Sequence, residues 1–127
     1  MGLRILIVED EQIIAADLAI QLARMHHEVL GIAISGEEAI ELADQTNPQL
    51  VLMDIQLEGE MTGTEAARAI QERTGAQLIF VTAFPGEFSR GSAQIPEPRV
   101  CLNKPFSRLQ LAAAVQAACG AGLPPDK

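Results

Sequence analysis

A chain of 127 residues suits one domain, and 48% apolar residues can build a core without disulfide or metal staples. Nine Lys and Arg against 17 Asp and Glu leave a net charge of −8, which argues against a nucleic-acid groove or an anionic membrane surface as a direct partner. No Trp, no Tyr and only four Phe argue against stacking on bases as well. Cys101 and Cys119 form no CxxC or Cys/His cluster and read as small buried hydrophobes in a reducing cytosol. No run approaches the roughly 18 apolar residues of a membrane helix. The opening "LRILIV" is too short for a signal segment, and Leu6 breaks a myristoylation pattern after Gly2. The expected location is cytoplasmic.

Apolar runs alternate with amphipathic stretches along the chain. Residues 3–8 read as a strand. Residues 11–25 place Ile14, Leu18, Leu22 and Met25 at helical spacing. His26 and His27 follow as polar residues at a helix end, a plainer reading than a metal site. Residues 29–34 are strand-like, and 36–45 are helical behind Ser35 and Glu38 in capping-box spacing. Pro48 precedes a third strand at 50–55. Thr62 and Glu65 open a helix at 64–74, and 77–81 and 99–103 are further strands. Ser107 and Gln110 open the last helix, 107–119, whose Ala-rich face is either core packing or a homodimer or partner surface. Residues 84–98 hold three Pro and two Gly, so a fourth helix there is expected to be short or irregular. The expected division is a domain over 1–119 and a flexible tail or linker over 120–127.

Near-continuous apolar strands separated by helices imply a doubly wound α/β fold with a parallel sheet covered on both faces. Ligands in such sheets bind at the carboxyl ends of the strands, near the point where strand order reverses. There the sequence places Glu9 and Asp10, Asp54, Thr82 and Lys104. Three carboxylates within about 4–6 Å repel by a few kcal/mol per pair at an effective dielectric near 20, so the cluster calls for cations. Lys104 is one. Mg²⁺ suits one or two carboxylates with waters and a phosphate. An Asp nucleophile with Mg²⁺ and Lys is the chemistry of an aspartyl phosphate.

The pieces "ILIVEDE" (5–11), "PQLVLMDIQL" (48–57), "TGTEAAR" (62–68), "IFVTA" (79–83) and "NKPF" (103–106) closely resemble the receiver domain of two-component response regulators. The resemblance covers about residues 3–119 and implies a flavodoxin-like, five-stranded sheet of order 2-1-3-4-5. It implies Asp54 as phosphoacceptor, with Glu9, Asp10 and the backbone carbonyl of Gln56 joining Asp54 around Mg²⁺. It further implies Thr82 as switch hydroxyl, Lys104 as phosphate-binding lysine, and a cis bond before Pro105. The partner implied is a sensor histidine kinase or a histidine phosphotransfer protein. The role is a signalling switch, not an enzyme, with an unphosphorylated pseudo-receiver as the alternative.

Other uses of the chemistry fit less well. A haloacid-dehalogenase-type phosphatase wants DxD after the first strand, where this chain has Glu9-Asp10-Glu11-Gln12. A flavin phosphate would meet the same acidic run. The chain also departs from the receiver pattern. Cys101 stands where the family usually has Tyr or Phe, so the switch is expected to rest on loop movement; the sharper reading is a changed output face or a redox-sensitive thiol. Phe84, two residues after Thr82, and Gln56, two after Asp54, suggest a long-lived phosphoryl group.

Overall fold

The computed structural model describes residues 2–57, 59–82 and 100–122. The expected short helix within 84–98, the expectation resting on Phe84, and residues 123–127 lie outside them. The elements are β1 (Arg4–Val8), α1 (Gln12–Arg24), β2 (Glu28–Ala33), α2 (Gly36–Thr46), β3 (Leu50–Asp54), α3 (Gly63–Thr74), β4 (Gln77–Thr82), β5 (Val100–Asn103) and α4 (Arg108–Gly122). The strands are all parallel in the order β2-β1-β3-β4-β5. This is the doubly wound, flavodoxin-like sheet that the alternation implies, and strand order reverses between β1 and β3.

Successive strand residues face opposite sides of the sheet. Ile5 and Ile7, Leu50 and Leu52, Ile79 and Val81, and Leu102 pack in one layer with Ala15, Leu18 and Leu22 of α1 and Leu111, Val115 and Ala118 of α4. Leu6 and Val8, Val51 and Met53, and Leu78 and Phe80 pack in the other, with Ala39 and Ala43 of α2 and Ala66, Ala67 and Ile70 of α3. Both sides are buried, which is why β1, β3 and β4 read as unbroken apolar runs rather than alternating ones.

Three helix starts use the expected capping residues. Thr62 and Glu65 form the full reciprocal box on α3. Ser107 and Gln110 do the same ahead of α4. At α2, Ser35 accepts from Glu38 N, but Glu38 reaches back one residue further, to Ile34 N at 2.8 Å. Gly75 ends α3 at φ 75°, a left-handed conformation that glycine adopts without steric cost. The start of α1 differs. Its N-cap residue is Glu11, whose side chain makes no cap hydrogen bond.

Candidate functional site

Glu9, Asp54 and Lys104 meet because they continue one alternation. Residues 5-7-9, 50-52-54 and 102-104 all point to the α1/α4 side of the sheet, as Ile5, Ile7, Leu50, Leu52 and Leu102 do in the core. Each strand thus carries its apolar residues into the layer and delivers a charged one at its carboxyl end. Glu9 is 1% exposed and Asp54 3%. Lys104 Nζ lies 3.0 Å from Glu9 Oε2, 3.2 Å from Glu11 Oε1 and 3.5 Å from Asp54 Oδ2. Glu11 is the member that the strand-end reasoning passed over. It begins a helix rather than ending a strand, although the run "EDE" carries it.

Backbone contacts hold the carboxylates in place. Gln56 N donates to Asp54 Oδ1 at 2.9 Å, and Glu11 N donates to Glu9 Oε1 at 3.2 Å. Glu9 Oε2 is buried with no directed hydrogen bond; its close neighbour is the ammonium of Lys104, as an ion pair. Burial, with the adjoining Asp54 carboxylate as second cause, raises Glu9 from 4.5 to about 7. Burial alone would lower Lys104, yet Glu9 and Asp54 outweigh it and raise its pKa above the ordinary value. Glu9 and Lys104 are thus both shifted by their charged neighbours, as expected where like charges are crowded around too few cations.

Glu9, Asp10 and Asp54 place one carboxylate oxygen each within 4.8 Å of one another. Glu11 adds a further carboxylate on Lys104, beside Glu9 and Asp54. Hard oxygen donors, an excess of negative charge and a buried oxygen without a directed hydrogen bond together fit a divalent cation of the Mg²⁺ kind. Gln56 follows in the turn after β3, and its backbone N–H is the group seen touching Asp54.

Thr82 ends β4, fully buried, on the opposite alternation from Asp54, following Leu78 and Phe80. Asp54 pairs with Val81, so Thr82 stands one step beyond it on the neighbouring strand. The Thr82 carbonyl accepts from Lys104 N at 2.8 Å, which ties the carboxyl ends of β4 and β5 together. The Lys104–Pro105 peptide bond is cis. Helix α3 closes the floor of the site. A Cβ on Gly63 would lie 2.2 Å from the Asp54 carbonyl oxygen and 2.8 Å from the Ile55 Cα. Only glycine permits that approach.

Cys101 is exposed at the edge strand β5 rather than the buried hydrophobe expected, with Sγ 3.9 Å from Asn103 Oδ1, and the partial cover it does have raises its pKa. A raised pKa opposes the redox-sensitive thiol reading, which needs a ready thiolate. His27 Nδ1 accepts from Leu3 N at 3.0 Å and His26 sits at φ 70°, so this pair shapes a turn. On α4, Leu111, Ala114, Val115 and Ala118 are buried while Ala113, Gln116 and Ala117 face outward. No helix among the described residues is long and apolar enough to cross a membrane.

A doubly wound sheet with an acidic cluster and a lysine at its carboxyl edge defines a class, and the sequence match agrees with it. The chain belongs to the response regulator receiver domain family, whose model matches residues 5–116, and so to the proteins of two-component signalling. It is 35% identical over 119 residues to the phyllosphere-induced regulator PhyR of Methylorubrum extorquens, covering 93% of this chain and 44% of that protein. It is 36% identical over 115 residues to the transcriptional regulatory protein PdtaR of Mycobacterium tuberculosis, covering 91% and 56%. The chain therefore spans about half the length of these curated relatives. The solution structure of the PhyR receiver domain of Erythrobacter litoralis superposes with a TM-score of 0.87 at 29% identity, covering 99% of this chain and 96% of that one. The crystal structure of PhyR from Brucella abortus gives 0.83 at 36% identity, covering 93% and 48%.

Proposed function

We propose that this chain is a phosphorylation-dependent switch in which Asp54 accepts a phosphoryl group from a phosphohistidine. The donor is a sensor histidine kinase or a histidine phosphotransfer protein. The observation that carries the reading is the contact of Lys104 with both Glu9 and Asp54 beside a three-carboxylate cluster. An Asp54 oxygen attacks phosphorus as the phosphorus–nitrogen bond to the donor imidazole breaks, and the imidazole leaves with the bond's electron pair. An acyl phosphate remains on Asp54. Lys104 and the Thr82 hydroxyl bind its oxygens; Glu9, Asp10, Asp54 and the Gln56 carbonyl would hold Mg²⁺, which would supply charge neutralisation at the transferring group.

The modification adds about −1.5 to −2 charges to an already acidic edge. Lys104 and Thr82 are drawn toward it, and because the Lys104 amide is bonded to the Thr82 carbonyl, the carboxyl ends of β4 and β5 move together. The output is a change of protein partner in the cytoplasm, rather than catalysis on a released substrate. A homodimer through the outward face of α4 is one form that output takes.

The test weighs the intact protein after incubation with acetyl phosphate, with and without Mg²⁺. The expected result is a Mg²⁺-dependent gain of one phosphoryl mass that vanishes in Asp54→Asn. No gain under any condition supports the pseudo-receiver instead.

A further inference from the structure

We infer that Glu11 is a positioning residue that holds Lys104 away from Asp54 in the unphosphorylated protein, so that phosphorylation must draw the lysine off Glu11. Of the three carboxylates that contact Lys104 Nζ, Asp54 is the farthest, at 3.5 Å against 3.0 Å for Glu9 and 3.2 Å for Glu11. In the role proposed above, Asp54 is the one Lys104 must serve. Glu9 has no freedom to release the lysine by swinging outward: it is buried, and Glu11 N holds its other oxygen. Glu11 does have that freedom, because its side chain is 63% exposed. At the N-cap of α1 a carboxylate ordinarily accepts from the helix's own first amides. The Glu11 side chain makes no such bond and reaches across 93 residues of sequence to Lys104 instead. When a cation engages Glu9, Glu11 is what remains to compete with Asp54 for the lysine. The chain thus carries a weak, exposed hook on the group that must move.

The inference rests on the phosphoacceptor reading, but two measurements separate their failures. The first needs no phosphoryl transfer. The Lys104 Nζ resonance, followed by nitrogen NMR of the intact protein, should shift in Glu11→Gln; an unmoved resonance overturns the inference. The second is the initial rate of labelling by acetyl phosphate in Mg²⁺. Glu11→Gln should label about two- to five-fold faster, the size of one exposed ion pair. This gain should disappear when the same change is made in a Lys104→Ala background. An equal gain in both backgrounds means plain repulsion between Glu11 and the phosphodonor, and overturns the inference, as does no gain in either. If the resonance moves but the wild type never labels, the hook stands as a contact, its role in phosphorylation is overturned, and the phosphoacceptor reading falls with it.

Discussion

The two edges of the sheet handle polar groups in opposite ways. At the amino edge, side chains complete the backbone. His27 Nδ1 accepts from Leu3 N, Gln49 Oε1 accepts from Arg4 N, and the Arg4 guanidinium donates to the carbonyls of Asn47 and Thr46. Each group there has a partner of complementary kind, and the edge is a device for stability. At the carboxyl edge, carboxylates meet carboxylates, with Lys104 between Glu9, Glu11 and Asp54. Glu9 is raised to about 7 and its Oε2 has no directed hydrogen bond. That edge is stable only as long as the sheet behind it is rigid, and it stores unfavourable charge that a cation or a proton relieves. The difference marks which edge the molecule works with.

Gly63→Ala should give the largest effect, because it breaks the carboxyl edge from below. The added methyl overlaps the Asp54 carbonyl and Ile55, which are backbone atoms and cannot rotate aside. Overpacking of this kind costs about 1–3 kcal/mol. The urea midpoint should fall accordingly, and Mg²⁺ should stabilise the variant less than the wild type, because the displaced carbonyl carries the Asp54 side chain with it. A midpoint within error of the wild type would mean that the loop relaxes freely and that the edge is less rigid than described.

Thr62→Ala and Glu11→Ala, both N-cap changes, sharpen the comparison. Thr62 closes a complete capping box, so its loss should cost about 1 kcal/mol by urea unfolding. Glu11 caps nothing and its contact with Lys104 is exposed, so its loss should stay within about 0.5 kcal/mol. Equal losses would show that Glu11 serves the helix rather than the site.

The layered fold was legible because periodicity carries it. Unbroken apolar strands require cover on both faces, and Ile14, Leu18 and Leu22 mark a helical face. The convergence of Glu9, Asp54 and Lys104 was legible for the same reason, since alternation along each strand decides which side of the sheet its last residue faces. Glu11 was less legible. Whether an N-cap carboxylate turns back to its own helix or crosses to a lysine depends on where β5 ends, and nothing local to Glu11 carries that information. The role of Gly63 was hidden in "TGTEAAR", because a close approach between two backbones leaves no pattern in side-chain types. The His27 bond was hidden too: residues 26 and 27 read as a polar helix end, and its partner Leu3 stands 24 positions away.

The measurement that separates the edges most cleanly is the sign of their pH dependence in metal-free protein. His27 is lowered below 6.5, chiefly by burial. Above 6.5 its ring is neutral folded or unfolded, and the bond from Leu3 N contributes in full. As pH falls through 6.5 the unfolded chain takes up the proton first, so this contribution is lost until the folded ring titrates as well. Glu9 runs the other way. Its pKa is raised from 4.5 to about 7, so its contribution is present below 4.5 and is lost as pH rises through 7, when the folded protein must also release the proton. Urea midpoints from pH 4 to 8, taken in chelator, should show the wild type gaining on His27→Gln as pH rises across 6.5. The wild type should lose ground to Glu9→Gln between 4.5 and 7. Parallel curves would mean that the two edges titrate alike, and that the carboxyl edge holds no charge for a cation to relieve.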